Sequence, residues 1–134
     1  MKKVIALLLA AALCALCAGC TQPDSLTLDL SQGYGLHTKL IHLNASTAEK
    51  KERMEAFAQV LEESDPLDKD FSLFAYYPDY LLELHDNGQT TTAVVDVNGE
   101  FIDFYYPGDS LDEPQQLYRS RITSDEFRKL VHQN

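Results

Sequence analysis

The chain has 134 residues and a formal net charge of −10, with 21 acidic residues against 11 lysines and arginines. That length suits one compact domain and is too short for two. The charge favours solubility and repels polyanions, which excludes nucleic acid as a partner.

The N-terminus differs in composition from the rest. Lys2 and Lys3 precede an unbroken apolar run from Val4 to Ala18. A basic start, an apolar stretch and small residues at its end form the pattern of a secretory signal. Fifteen apolar residues fall short of the roughly 20 that cross ~30 Å of hydrocarbon as a helix, so a transmembrane reading is excluded. The three cysteines, Cys14, Cys17 and Cys20, all fall at the end of this run.

The run closes on "CAGC", which resembles the lipobox of bacterial lipoproteins, with Cys17 where leucine is usual. The resemblance covers the leader alone. It implies cleavage after Gly19, a diacylglyceryl group on the Cys20 sulfur and an acyl chain such as palmitate on its amine. At ~0.8 kcal/mol per buried methylene, two or three chains hold a protein on a membrane almost permanently. The alternative is ordinary cleavage near Gly19, leaving a secreted protein with one unpaired thiol, a liability in an oxidising compartment.

The expected organisation is therefore a signal peptide over 1–19, the lipidated cysteine and a short tether over 20–25, and a single domain over 26–134. Loss of residues 1–19 removes two lysines and no acid, taking the charge to −12. The tether "TQPDS" reaches only about 17 Å when extended. The domain is thus expected on the extracytoplasmic face of the cell membrane, near any envelope protein or glycan it meets.

"LTLDL" (26–30) alternates apolar and polar residues as a half-buried strand does. "SQGYG" reads as a turn, and "LHTKLIHL" (36–43) as a second strand. His37 and His42 are five residues apart on it and point to opposite faces, so they cannot share a metal unless the strand bulges. Residues 46–64 read as a helix. Ser46 and Glu49 fit a capping box, and Met54, Phe57, Ala58 and Leu61 share one face.

Residues 65–79 form an aromatic-rich connection. Counted from Asp68, this segment has oxygen side chains at positions one, three, five and twelve of an EF-hand-like loop: Asp68, Asp70, Ser72 and Asp79. Position six is Leu73 where glycine makes the sharp turn, so a solvated acidic loop is preferred and no metal is expected.

Two Asn-Gly dipeptides, Asn87-Gly88 and Asn98-Gly99, each stand between strand-like runs, the strongest short hairpin signal. They predict antiparallel strands at about 80–86, 90–97 and 100–106, and "LYRSRI" (117–122) adds a fourth. Thr123 and Glu126 repeat the capping-box spacing and open a last helix with Phe127, Leu130 and Val131 inward. The fold class expected is α+β: an N-terminal hairpin plus a four-strand antiparallel meander, with two helices packed on one face.

No phosphate loop, nucleophile elbow or metalloprotease motif is present, so neither a cofactor nor an enzyme is expected. Tyrosines are concentrated in two Tyr-Tyr-Pro triplets, Tyr76-Tyr77-Pro78 and Tyr105-Tyr106-Pro107. These rings are expected to cover the sheet face away from the helices. If the domain has a binding patch, Tyr76, Tyr77 and one of Tyr105 or Tyr106 are its candidates, because tyrosine joins apolar area to a polar tip.

Three functional readings follow. The first is a lipid-anchored binding or accessory module docking on a membrane or wall partner. The second is a small-ligand or calcium sensor using the 65–79 loop. The third is a cell-wall hydrolase working through opposed carboxylates such as Asp96 and Asp103, an arrangement that a solvated sheet face also produces.

Overall fold

A computed structural model describes residues 26–69, 78–108 and 116–133. Within them lies a seven-stranded antiparallel sheet with two helices on one face. The elements are β1 (Leu26–Gln32), β2 (Lys39–Asn44), α1 (Ala48–Glu62), β3 (Ser64–Leu67), β4 (Tyr80–Asp86), β5 (Gln89–Asn98), β6 (Phe101–Tyr105), β7 (Leu117–Ser120) and α2 (Ser124–His132). The strand order is β2-β1-β4-β5-β6-β7-β3. The α+β class, the hairpin and the four-strand meander are thus present, joined because β1 pairs with β4.

Alternation explains which face each strand buries. Leu26, Leu28 and Leu30 of β1, Leu82 of β4, Ala93 and Val95 of β5, and Ile102 and Phe104 of β6 point to the helices. They meet Met54, Phe57, Val60 and Leu61 of α1 and Phe127 of α2. Phe57 and Phe127 stack edge to face, with centroids 6.0 Å apart. Arg53 of α1 ties the helices together by donating from Nη2 to the Leu130 carbonyl at 2.9 Å, a C-terminal carbonyl of α2.

The Asn87-Gly88 turn has φ of 48° and 81°, the left-handed pair a type I′ hairpin needs. The next turn differs from the expected form. Asn98 ends β5, and of the central residues Gly99 and Glu100 only Gly99 has positive φ, 62°, as in a type II′ turn.

Four element boundaries are corrected. The first helix is capped by Thr47, whose side chain accepts from Lys50 N, while Ser46 bonds to Asn44. It ends at Glu62, and the chain enters β3, an unexpected strand that tolerates Pro66 because it is a sheet edge. The second strand begins at Lys39, leaving His37 in the preceding loop with φ of 49°. The strand expected over 117–122 stops at Ser120. The last helix starts as expected, with the Thr123–Glu126 capping box formed.

Candidate functional site

The sheet face away from the helices carries two rows of charged side chains. The first runs across β2, β1, β4 and β5, where His42, Asp29, Glu83 and Thr92 stand opposite one another. One step along, Thr27 of β1 is paired with His85 of β4, which is paired with Thr90 of β5. His85 is therefore diagonal to Asp29, within reach on one face.

Asp29 is the hub. His42 donates from Nδ1 to Oδ1 at 2.6 Å, Lys39 donates from Nζ to Oδ2 at 3.0 Å, and His85 Nε2 lies 3.2 Å from Oδ2. Thr90 Oγ1 meets the other ring nitrogen of His85 at 2.9 Å. Burial pushes the Asp29 carboxyl up, but the hydrogen bonds and charges of His42 and Lys39 outweigh it and hold the group below its ordinary value.

Lys39 reaches Asp29 because β2 bulges. Leu30 is paired with Ile41 but Ser31 with Lys39, leaving Leu40 as the extra residue. Strict alternation would turn Lys39 toward the helices. The bulge instead brings it onto the outer face. Such a bulge was the condition for His37 and His42 to share a face. Here it delivers Lys39, and His37 remains in the loop with Nδ1 against the Gln32 carbonyl.

The second row crosses β5, β6, β7 and β3 through Asp96, Asp103, Arg119 and Asp65. Arg119 grips Asp103 with two bonds, Nε to Oδ1 at 2.8 Å and Nη2 to Oδ2 at 3.1 Å, and lies over the Phe101 ring at 4.0 Å. Asp103 is 0% exposed, so this part of the sheet is not the solvated face that opposed acids suggested. Asp79 Oδ2 accepts from Val97 N at 2.7 Å. Burial, a hydrogen bond to Asp79 and the charges of Asp79 and Asp103 push the Asp96 carboxyl up to about 6.

Of the calcium-loop residues, Asp68 is exposed and Asp79 is engaged with Val97, while Asp70 and Ser72 lie outside the described residues. Tyr76, Tyr77 and Cys20 also lie outside them. Tyr105 is 4% exposed and buried with Val94 and Leu117 on the outer face. Tyr106 turns to the helix side against Phe104 and Tyr118, and burial and the Tyr118 and Glu62 charges push its hydroxyl up to about 12.

Among the described residues four large apolar side chains are exposed: Phe101, 46% exposed, lies under Arg119, while Leu36 at 96%, Tyr34 at 53% and Leu40 at 44% lie in the loop and bulge joining β1 to β2. No acidic residue stands between Asp29 and Glu49, in a chain with 21 acids. The turn composition "SQGYG" showed where this tip is, but its apolar exposure could not be read from composition. The Asp29 hub had a faint signal in polar residues on alternating strands. Recognising it required knowing that β1 lies between β2 and β4.

The chain matches no protein-family model, no curated protein and no solved structure. Among the described residues no helix is long and apolar enough to cross a membrane.

Proposed function

We propose that this chain is a lipid-anchored, extracytoplasmic docking module that meets an envelope protein through the tip of its first hairpin. The observation that carries the reading is three exposed apolar side chains, Tyr34, Leu36 and Leu40, within a stretch that has no acid from Leu30 to Ala48. Clustered apolar exposure is costly in a monomer and characteristic of an interaction surface. Side chains of this kind fit an apolar cleft with an acidic rim better than they fit a glycan.

The position of the tip favours a protein over the membrane to which Cys20 would be anchored. The tether enters β1 at Leu26 and the tip follows Gln32, so seven residues at ~3.3 Å each separate the two ends. With the anchor at one end of β1, the apolar side chains lie at the end of the strand remote from it.

Two measurements test the two halves separately. Cys20→Ser should move the protein from the membrane fraction to the soluble one. Retention on membranes would overturn the anchor. A photoreactive residue at position 36, in intact cells of the native host, should give one discrete protein adduct. The same probe at Gln59 on α1 should not, and Leu40→Glu should abolish the adduct. Crosslinking to lipid alone, or equal products from both positions, would overturn the docking surface.

A further inference from the structure

We propose that Asp29, Glu83 and His85 bind a divalent transition-metal ion on the outer face of the sheet, independently of the hairpin tip. One donor atom from each lies within 4.8 Å of the others. An ion held at about 2.0–2.2 Å by nitrogen and oxygen brings tetrahedral donors to about 3.3–3.6 Å of one another. Small side-chain rotations close that gap. The three residues stand on adjacent strands of one sheet, with Glu83 and His85 two apart on β4, so the backbone already sets their spacing.

Both ends of the cluster are supported as metal ligands commonly are. A ligating histidine donates its second ring N–H to an acceptor, and ligating carboxylates are themselves hydrogen-bonded. Thr90 Oγ1 meets Nδ1 of His85, which leaves Nε2 turned to Asp29. His42 holds Oδ1 of Asp29, leaving Oδ2 on the side of His85. In the tautomer whose Nδ1 donates to Thr90, Nε2 carries a free lone pair 3.2 Å from Oδ2, and a metal ion can take both as ligands.

Charge points the same way. Glu83 has no hydrogen-bond or ion-pair partner among the described residues, so Lys39 alone opposes two carboxylates when the histidines are neutral. Its side chain is 55% exposed and free to swing into water as an ion enters. A mixed imidazole and carboxylate set suits zinc and its neighbours better than calcium, which takes six or more oxygens.

Lys39 supplies the discriminating test. Its ammonium occupies Asp29 Oδ2, where the metal would bind, so the two compete. In calorimetric titration of the full chain in detergent with zinc at pH 7, one ion should bind per chain. Glu83→Gln and His85→Ala should each weaken binding about tenfold or more, and Thr90→Val by a smaller factor through the orientation of His85.

Lys39→Ala should instead tighten binding several-fold, a direction that no merely structural role for the cluster gives. Cobalt should develop visible absorption in the wild type that Glu83→Gln abolishes. Glu83→Gln is nearly isosteric at a half-buried position, and its melting temperature reports whether folding is intact. Absence of zinc binding, binding indifferent to Glu83→Gln, weaker binding in Lys39→Ala, or a preference for calcium would each overturn the proposal.

Discussion

The two charged rows on the outer face share a plan, an aspartate midway across the strands with cations from its neighbours, yet they behave as opposites. Asp103 is fully buried, and both its oxygens are gripped by one guanidinium that remains charged at any working pH. Asp29 is held by a lysine and a histidine whose side chains are each more than half exposed. The first arrangement ties β6 to β7. The second can release a partner to water without disturbing a strand, which is what an exchangeable site requires.

The largest expected effect comes from breaking the rigid row. Asp103→Ala leaves Arg119 without its carboxylate in a half-buried setting and should cost about 3–5 kcal/mol of stability. Asp29→Ala removes bonds whose donors can turn to water, and should cost only about 1–2 kcal/mol. Urea unfolding of both variants measures the difference. A loss at Asp103 no greater than at Asp29 would abolish the distinction between the rows.

A somewhat smaller loss is expected at Gly33, which joins the end of β1 to the start of β4. A Cβ at this buried position would run into the backbone of Pro78 and lie 2.8 Å from Tyr80 N. Gly33 N donates to the Asp79 carbonyl at 2.9 Å, so the same clash would push Asp79 from its place beside Asp96. Gly33→Ala should cost about 2–3 kcal/mol by thermal or urea unfolding. It should also bring the Asp96 carboxyl down toward its ordinary value, because Asp79 contributes to raising it.

How much of this was legible depends on how local the cause is. The hairpin at Asn87-Gly88, the capping box at Thr123 and the opposition of Asp96 and Asp103 are set by a few neighbouring residues, and the sequence indicates them. Strand β3 was hidden because Pro66 argues against a strand and only an edge position, set by distant β7, permits it. The Asp29 hub draws on residues up to 56 apart in sequence and on a bulge that turns Lys39 over. Register of that kind is a property of the assembled sheet. The burial of Tyr105 and Tyr106 has a related cause, since the assembled sheet and helices cover both faces of the chain there.

The row containing Asp96 should also reveal itself through pH. Its folded carboxyl titrates at about 6, well above the ordinary 3.8, so the folded state holds that proton more tightly than the unfolded chain does. The resulting stabilisation is complete below about pH 4 and is lost as pH rises through about 6. Asp96→Asn keeps a donor for Asp79 without the charge. It should therefore gain on the wild type by roughly 1–2 kcal/mol between those limits, allowing for solvent around a half-buried group. A gap that stays constant with pH would mean that Asp79 and Asp96 do not share a proton.

Asp29 should give the smallest signal and the opposite slope. Its folded carboxyl titrates below 3.8, so the folded state binds the proton less tightly than the unfolded chain. That stabilisation is present above the ordinary carboxyl value and is lost as pH falls through the lower folded one. Asp29→Asn should therefore trail the wild type at neutral pH and draw level with it in acid. The exposed partners limit the change to about 1 kcal/mol or less. Paired unfolding curves for the two asparagine variants, from about pH 2 to about pH 7, measure both slopes in one experiment. If the Asp29 gap instead widened in acid, its partners would not be holding a charged carboxylate, and the contrast between an exchangeable row and a fixed one would lose its electrostatic basis.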